Sequence, residues 1–300
     1  MSPLVSVVIP TYNRAADLRR ALASVVAQTW EHWEALVVDN HSSDDTIQVV
    51  ESFADPRIRL LSVHNHGVIA VSRNLGVARS RGTYVALLDS DDWWFPDKLT
   101  QSVQRLEAGA DVVYHDLYIV WSARQQLYWR KRVTRRLRAP TFDDLMWKGN
   151  AICNSSVVVR RRVLEGIGGF SEDRSLIAWE DYDAWLRLAR ASARFERLDR
   201  ALGCYWAGGG NVSSPERTIR NLECFRQLYI APEPRWRDRT LPGWYHYALG
   251  LAYYELRSYA TAFDHMRRAL GAGGLPVKRY VRALLTAIAS SGRLLSGAAR

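Results

Sequence analysis

Short apolar runs alternate with amphipathic helical patterns through the first third of the chain. The apolar runs cover residues 5–9, 35–38, 58–63 and 85–88. Between the first two runs, Leu18, Leu22 and Val25 recur at helical spacing, and Asn13 is expected to cap this helix. Continuous apolar strands that alternate with helices are typical of parallel sheets whose two faces are covered. We therefore predict an α/β fold with a doubly wound, mostly parallel sheet.

Polar side chains follow three of these runs at the points where the strands are expected to end. They are Thr11 and Tyr12, then Asp39, and finally the group Asp89, Ser90, Asp91 and Asp92. Ligands of such sheets bind outside the carboxyl ends of the strands, so we expect one shared pocket. Asp89 and Asp91 project to the same side of an extended chain and suit a divalent cation, because magnesium is held by one or two carboxylates together with phosphates and water. A role in turns or helix caps is the alternative.

A second acidic group, Glu180 and Asp181, stands where another helix is expected to begin. Trp185, Leu186 and Leu188 follow at the spacing of a buried helix face. Acidic residues favour the amino ends of helices because they cap free N–H groups and offset the helix dipole. The pattern alone therefore leaves two interpretations open, a structural cap and a second functional site.

Three segments of the chain, residues 5–46, 67–92 and 168–189, resemble glycosyltransferase family 2. They contain the family's motifs in the family's order, and the match runs from about residue 5 to residue 213. The resemblance implies a glycosyltransferase-A-type fold, a nucleotide-diphosphate sugar donor, a divalent metal ion (Mn²⁺ or Mg²⁺) and inversion at the anomeric carbon. Residues 1–213 would then be the catalytic domain, with a nucleotide-binding half (1–116) and an acceptor half (117–213).

The resemblance also assigns roles to the polar residues at the predicted strand ends. The residues expected to bind the nucleotide donor are Pro10, Thr11, Tyr12, Asp39, Arg73 and Asp89. Asp89 and Asp91 match the family's Asp-x-Asp motif, with Asp91 as the direct metal ligand and Asp89 nearer the ribose. Asp92 is an alternative ligand. A carboxylate such as that of Asp39 accepts a hydrogen bond from a uracil imide, which favours a UDP-sugar.

The resemblance places the chemistry of transfer in the second acidic group. Asp181 matches the catalytic base, which takes the proton of the acceptor hydroxyl, and Glu180 and Trp179 are expected to bind the acceptor. One position departs from the family, because Gly208 stands where a histidine is common, and this leaves a third protein ligand to the metal open. Gly208 to Gly210 form either a loop that closes over the donor phosphates or a flexible linker.

The net charge of +10 is unevenly distributed, and residues 124–138 hold seven basic residues and no acid. Such a segment can bind nucleic acid, anionic lipid headgroups or a lipid-diphosphate acceptor, or it can be a solvated insertion. We expect no nucleic-acid partner, because no nucleic-acid-binding module is recognisable around it. The three scattered cysteines lack the spacing of metal ligands or redox pairs.

No apolar run reaches the length of a membrane span, and the amino terminus leads directly into a predicted strand. These observations predict a cytoplasmic protein, with peripheral association at the cytoplasmic face of the inner membrane as an open alternative.

The pattern becomes helical beyond residue 213, after a predicted short helix at residues 142–147 and a predicted strand at residues 151–159. Residues 243–273 resemble one tetratricopeptide-like hairpin, and residues 278–300 form a basic helix with an apolar stripe. This last helix either lies in a membrane interface or packs on the hairpin. The helical extension (214–300) is also a candidate docking surface for a partner protein.

These features predict a metal-dependent, inverting glycosyltransferase. It would move a sugar from a nucleotide-diphosphate donor, with UDP favoured, to a hydroxyl of a cell-envelope polysaccharide or lipid-linked glycan precursor. The alternative is a noncatalytic glycosyltransferase-like protein that uses its helical module for docking. Intact acids at both sites favour the enzyme.

Overall fold

A computed structural model describes residues 4–122, 124–125, 127–132, 134–209, 214–233 and 241–297. The chain forms two compact units. The first comprises Met1–Arg138 and Ala151–Asn211, and the second comprises Ala139–Asn150 and Val212–Arg300.

The first unit is built on a single mixed sheet. Its strands are β1 (Val5–Thr11), β2 (Trp33–Asp39), β3 (Ile58–Ser62), β4 (Tyr84–Leu87), β5 (Trp93–Trp94), β6 (Val112–Val120), β7 (Lys131–Arg132), β8 (Val158–Arg160) and β9 (Phe195–Trp206). Their order in the sheet is β3-β2-β1-β4-β8-β6-β9-β5, with β7 paired to β6. The first four strands are parallel, as the apolar pattern predicts, and β8 runs antiparallel to both β4 and β6.

Helices connect these strands and cover the sheet. In the first unit they are α1 (Ala15–Val26), α2 (Thr46–Glu51), α3 (Ile69–Arg79), α4 (Lys98–Glu107), α6 (Arg161–Gly166) and α7 (Glu180–Arg190); α5 (Thr141–Lys148) belongs to the second unit. All residues of β1 and β2 are buried. Complete burial explains why these strands are continuous apolar runs rather than alternating patterns.

Two local predictions are corrected by the structure. Asn13 does not cap α1, because its backbone is left-handed (φ 49°) and its side-chain oxygen accepts a hydrogen bond from the Ser43 amide at 2.8 Å. The predicted strand over residues 151–159 is interrupted by a 3₁₀ turn at Asn154–Ser156, and only Val158–Arg160 pairs as a strand. In both places the polar side chains bind elements far away in sequence, and local patterns do not register such contacts.

The second unit is helical. Besides α5 it contains α8 (Pro215–Phe225), which continues as a π-helical turn (Arg226–Ile230), then α9 (Gly243–Glu255), α10 (Tyr259–Ala272) and α11 (Val277–Gly297). The pair α9 and α10 is the helical hairpin expected at residues 243–273. At the crossing a Cβ on Gly250 would lie 2.8 Å from Met266 Cε, so the helices approach closely because this position lacks a side chain. No helix in the described ranges is long and apolar enough to span a bilayer.

Residues 139–150 belong to the helical unit, whereas the sequence-based boundary at residue 213 groups them with the catalytic domain. The physical reason is aromatic packing within the second unit. Trp244 donates its indole N–H to the Met146 carbonyl at 2.9 Å, and the rings of Phe142 and Tyr229 lie 6.4 Å apart. The division of the catalytic domain into two halves stays a prediction.

Gly82 lies where two segments of backbone approach most closely before β4. A Cβ at this position would lie 2.7 Å from the Leu4 carbonyl oxygen and 2.7 Å from the Ser6 nitrogen. We predict that Gly82→Ala lowers the free energy of unfolding by about 1–3 kcal/mol, because backbone cannot move aside as a side chain can. Urea denaturation followed by circular dichroism measures the loss. The matched control is Gly166→Ala, whose Cβ would meet nothing within 4 Å; equal stability of the two variants would contradict the argument.

Candidate functional site

The carboxyl ends of β1, β2 and β4 meet at one edge of the sheet. Thr11 pairs with Asp39 across β1 and β2, and Val8 pairs with Leu87 across β1 and β4. The chain leaves β4 at Leu87 and reaches Asp89 two residues later. The polar residues that the sequence places at three strand ends therefore do share one edge.

The residues expected to contact the nucleoside differ in solvent exposure and in the hydrogen bonds that they already form. The Tyr12 ring is 55% exposed and available for stacking, while the buried Thr11 hydroxyl has no hydrogen-bond partner. Asp39 is buried, and its two carboxylate oxygens accept hydrogen bonds from the Ser42 amide at 3.2 and 3.1 Å. Asp39 thus also fixes the turn after β2, which is the structural role that such a residue commonly has. Pro10 is buried inside β1, opposite Val38.

Arg73 joins the two acidic groups, although neither is near it in sequence. One guanidinium nitrogen lies 2.7 Å from Asp89 Oδ1 and another lies 2.5 Å from Glu180 Oε1. Arg73 itself is 4% exposed. Burial alone would lower the pKa of Arg73, but the Asp89 and Glu180 carboxylates outweigh it and raise that pKa. The charge is therefore permanent, and it holds β4 and the amino end of α7 together.

Asn154 and Ser155, which sequence reasoning did not select, complete the surroundings of Asp89. The Asn154 amide donates to Asp89 Oδ1 at 3.0 Å, and the Ser155 hydroxyl accepts from the Asp89 backbone N–H at 3.1 Å. The signal in the sequence is the polar stretch from Asn154 to Ser156 inside an otherwise apolar segment. With Arg73, these contacts leave Asp89 little freedom to reorient.

Asp91 is the acid with an unengaged carboxylate. No side chain in the described part of the molecule donates a hydrogen bond to it, whereas its backbone carbonyl accepts from Arg20 at 2.8 Å. The Arg20 guanidinium stacks on Trp93 and Trp206, at 4.1 and 5.0 Å from the ring centroids. Burial and the nearby Asp89 raise the pKa of Asp91 to about 6. The main chain is thus fixed while the carboxylate stays available.

Asp92 lies deeper than its neighbour and connects two parts of the site. Its Oδ1 accepts from the Trp206 backbone N–H at 2.8 Å, and no group among the described residues donates a hydrogen bond to its buried Oδ2. Burial raises the pKa of Asp92, and the charges of Asp91 and Asp89 raise it further. The hydrogen bond to Trp206 connects the end of β9 to the acidic loop, the segment after β4 that contains Asp89, Asp91 and Asp92.

Asp181 lies in the first turn of α7, directly after the Glu180 that Arg73 holds. Burial and the Glu180 charge raise the pKa of Asp181 to about 7, against the opposing effect of Arg73. A carboxylate with a pKa near neutrality is suited to accept a proton in a reaction. Trp179 is half-buried beside it, with its ring edge-on to Tyr182 at 5.7 Å between centroids.

The model for "Glycosyl transferase family 2" matches residues 6–168, which is more than half of the 300-residue chain. The chain belongs to glycosyltransferase family 2. It is 28% identical over 205 residues to EpsE of Bacillus subtilis, which is named as a glycosyltransferase, and this match covers 67% of the chain and 72% of EpsE. It is 38% identical over 103 residues to the Escherichia coli UDP-Glc:alpha-D-GlcNAc-diphosphoundecaprenol beta-1,3-glucosyltransferase WfgD, covering 34% of the chain and 41% of WfgD.

Solved structures share the fold of this family 2 member. S. aureus TarS 1–349 in complex with UDP-GlcNAc superposes with a TM-score of 0.60 at 17% identity, over 96% of this chain and 89% of that one. The Pyrobaculum calidifontis mannosyltransferase PcManGT in complex with GDP-Man and Mn²⁺ superposes with a TM-score of 0.59 at 21% identity, over 100% of this chain and 80% of that one. At these identities the likeness shows the glycosyltransferase-A-type fold.

Steric contact with a neighbouring ring explains why this family member has glycine rather than histidine at position 208. A Cβ on Gly208 would lie 2.2 Å from a carbon of the Trp206 ring, so the loop in this conformation cannot hold a histidine there. Gly208 to Gly210, the predicted loop or linker, is described only up to Gly209, because residues 210–213 lie outside the described residues.

The acids fit a divalent cation bound mainly through substrate. Among the residues the structure describes, no group of three histidine, cysteine, aspartate or glutamate side chains forms a ready-made metal site. The unengaged Asp91 carboxylate and the orphaned Asp92 Oδ2 are hard oxygen donors in a strongly negative loop. One or two such carboxylates with phosphate oxygens and water are a typical magnesium environment.

Crowding of these acids generates a prediction about stability. The pKa of Asp91 in the fold is about 6, above its ordinary 3.8, so its ionised form destabilises the fold above pH 6 and this penalty disappears below about pH 4. We expect Asp91→Asn to raise the free energy of unfolding by about 1–2 kcal/mol at pH 7.5 without divalent metal, and to change it little at pH 4. Urea denaturation at both pH values measures this.

Asp173→Asn is the control, because the Ser175 backbone and side-chain hydrogen bonds lower the pKa of Asp173. Its ionised form stabilises the fold, so this substitution should not raise stability. An Asp91→Asn protein no more stable than wild type at pH 7.5 would show that Asp91 is not crowded by its neighbours.

Proposed function

We propose that this protein is a metal-dependent, inverting glycosyltransferase that transfers a sugar from a UDP-sugar to a hydroxyl of a cell-envelope glycan precursor. The observation that carries the proposal is the bridge of Arg73 between Asp89 and Glu180. Because Asp181 follows Glu180 directly and lies within electrostatic reach of Asp89, a base with a pKa near neutrality faces the acids of the β4 loop. Inverting transfer needs these two groups close together.

The choice of a uridine nucleotide rests on residues at the ends of β1 and β2 and on the names of the relatives. Asp39 pairs with Thr11, the residue before the exposed Tyr12, and a carboxylate and an aromatic ring suit hydrogen bonding to, and stacking on, a uracil. WfgD is named for a UDP-Glc donor and the TarS complex contains UDP-GlcNAc. Because PcManGT was solved with GDP-Man, a donor screen includes guanosine nucleotides as well.

The metal and the donor diphosphate would lie in the loop after β4. Asp91 would hold Mn²⁺ or Mg²⁺, with Asp89 or Asp92 as a second ligand, and the cation would offset the charge of the departing diphosphate. Asp89 is already fixed by Arg73 and Asn154, which suits an orienting contact to the ribose better than a mobile ligand. The Arg20 hydrogen bond to the Asp91 carbonyl fixes the main chain from which this carboxylate projects.

The acceptor would enter on the side of α7. Asp181 would take the proton of the attacking hydroxyl as its oxygen bonds to the anomeric carbon. The Trp179 ring offers a face for a sugar. The buried Oε2 atom of Glu180 has no hydrogen-bond donor among the described residues, so it can accept a hydrogen bond from a sugar hydroxyl. The diphosphoundecaprenol acceptor in the name of WfgD supports a lipid-linked precursor.

Replacing the base tests the proposal directly. With UDP-glucose and UDP-GlcNAc as first donors and Mn²⁺ present, we expect Asp181→Asn to reduce transfer or donor hydrolysis by about 100-fold or more, since the amide cannot accept the proton. Calorimetry should show unchanged binding of UDP with Mn²⁺. Because the pKa of Asp181 is about 7, wild-type kcat/KM should fall as the pH drops below 7 and level off above it.

The exposed Asp173→Asn variant is the matched control and should keep both transfer and UDP binding. If folded Asp181→Asn protein retained wild-type transfer, another residue would be the base. UDP binding without any transfer in wild type, across donors and metals, would favour the noncatalytic interaction protein.

The two faces of α11 support peripheral membrane binding. Its small residues Ala283 and Ala287 pack in a cluster with Tyr247, Met266 and Ala269 of the hairpin. Its large apolar residues between positions 277 and 288 are exposed instead, namely Val277, Tyr280, Val281, Leu284, Leu285 and Ile288. The helix therefore packs on the hairpin and still presents an apolar stripe.

Charge completes the case for a lipid surface as the partner of this stripe. Within Val277–Gly297 the charged residues are Lys278, Arg279, Arg282 and Arg293, and there is no acid. A cavity of about 480 Å³, lined mainly by apolar residues such as Phe263, Leu270 and Leu284, opens beside the stripe. An apolar stripe flanked only by cations is typical of helices that lie in the interface of anionic bilayers.

We expect Leu285→Glu to weaken binding to vesicles containing phosphatidylglycerol by at least about tenfold, because a 61% exposed leucine would no longer enter the acyl region. Vesicle co-sedimentation measures the binding. Gln227→Glu adds the same charge at an exposed position on α8's continuation and should leave binding unchanged. Equal binding by wild type and Leu285→Glu would exclude the stripe as the contact.

A further inference from the structure

Arg132, which lies near the acidic groups, forms no hydrogen bond or ion pair with the residues that the structure describes. Arg132 belongs to the two-residue strand β7, opposite Leu117 of β6, and its side chain is exposed. Within the described ranges it forms no ion pair and no hydrogen bond, and its guanidinium stacks on the Tyr205 ring, with 4.7 Å between the guanidinium carbon and the ring centroid. Its N–H donors are therefore all available.

Strand register explains why Arg132 faces the site. Leu117 is opposite Arg132, and Ile119, two residues further along β6, is opposite Tyr205 of β9. Side chains two residues apart on a strand lie on the same face of a sheet, so Arg132 and Tyr205 share that face. The next residue after Tyr205 is Trp206, whose backbone N–H is held by Asp92. Arg132 thus lies over the part of β9 that is tied to the acidic loop.

The electrostatic surroundings place Arg132 among the site residues as well. Cys153 contributes most to raising the pKa of Arg132, neighbouring protein atoms that displace part of the water around the exposed guanidinium oppose this increase, and Tyr205, Asp181 and Asp92 add to it. Cys153 directly precedes Asn154, which donates to Asp89. The same guanidinium is therefore within electrostatic reach of the residue assigned as base and of the β4 loop.

Arg73 and Arg132 differ in what they can still bind. Arg73 is buried and its charge is neutralised by Asp89 and Glu180. Arg132 is exposed, so an incoming anion can reach its guanidinium. A diphosphate entering among Asp89, Asp91, Asp92, Glu180 and Asp181 meets strong repulsion, and a guanidinium with free donors matches phosphate oxygens in a bidentate geometry.

We propose that Arg132 is a substrate-binding residue whose guanidinium donates hydrogen bonds to the oxygens of a diphosphate held in this site. The inference rests on the proposed function, because a nucleotide-diphosphate donor or a diphosphate-linked acceptor supplies that group. It gives one residue of the basic segment 124–138 a specific role, and it distinguishes Arg132 from its neighbour Lys131, whose side chain points to the other face and lies 5.3 Å from the Tyr118 ring centroid.

The donor arm of the test compares ligands with and without the diphosphate. Full-length wild type, Arg132→Ala, Arg132→Lys and the control Lys131→Ala are titrated with UDP and with uridine in the presence of Mn²⁺. If the donor supplies the diphosphate, Arg132→Ala should weaken UDP binding by about tenfold or more and leave uridine binding unchanged. Arg132→Lys should restore part of the affinity, because it keeps the charge without the planar fork, and Lys131→Ala should match wild type.

The acceptor arm applies if UDP binding is unaffected. The KM for a polyprenyl-diphosphate-linked sugar should then rise by about tenfold in Arg132→Ala, while the KM for the same sugar as a neutral octyl glycoside stays constant. Unchanged UDP affinity together with unchanged KM for both acceptors overturns the proposal, as does an equal loss in Lys131→Ala. A wild-type protein that binds no UDP overturns the proposed function and this inference with it, whereas normal wild-type binding with an indifferent Arg132 overturns the inference alone.

Discussion

The buried bridge of Arg73 is the interaction on which the rest of the site depends. It joins Asp89, which follows β4, to Glu180, which opens α7 and lies 107 positions after Arg73 along the chain. Removing a charge and its partners from water is costly, and breaking such a group by deleting one member leaves an uncompensated buried charge. The bridge is therefore weak as a source of stability but strong as a geometric constraint. It keeps the acids assigned to metal binding and the acid assigned to proton transfer at one position.

The same constraint explains why the site is crowded with carboxylates whose pKa values are raised. Asp91, Asp92 and Asp181 all have pKa values above their ordinary range, each mainly because burial disfavours its charge and then because neighbouring acids repel it. One arginine cannot neutralise five acids. A divalent cation and the Arg132 guanidinium would relieve this repulsion when the donor binds. Relief of the repulsion would then add to the affinity for the donor.

The helical unit is held together by close packing of small residues rather than by buried charges. Its hairpin closes because Gly250 leaves room for Met266 and because Ala262 and Ala269 are small enough to be fully buried. The third helix, α11, contributes its small residues to that packing and keeps its large apolar residues between positions 277 and 288 at the surface. Packing on the hairpin, one of the two interpretations that the sequence leaves open for this helix, is therefore confirmed for its small-residue face, and a place in a membrane interface stays a proposal for the other face.

The sequence by itself determined the elements whose causes are local. The apolar runs at β1, β2 and β4 and the parallel order of the first four strands follow from the pattern, because burial of a strand on both faces favours apolar residues at most positions. The ends of these strands, and with them Thr11, Asp39 and Asp89, follow from the same pattern, whereas the family and the roles it implies required a resemblance.

Only the tertiary structure decided which groups meet and which are free. Arg73 and the adjacent residues Asn154 and Ser155 converge on Asp89 from two distant segments, Asp92 is used to hold β9, and within the described ranges Arg132 forms no hydrogen bond or ion pair. Residues 139–150 similarly pack with helices that begin beyond residue 213. Side-chain hydrogen bonds and aromatic packing between segments leave no periodic trace in a chain, since they depend on where the fold brings each segment and not on its neighbours in sequence.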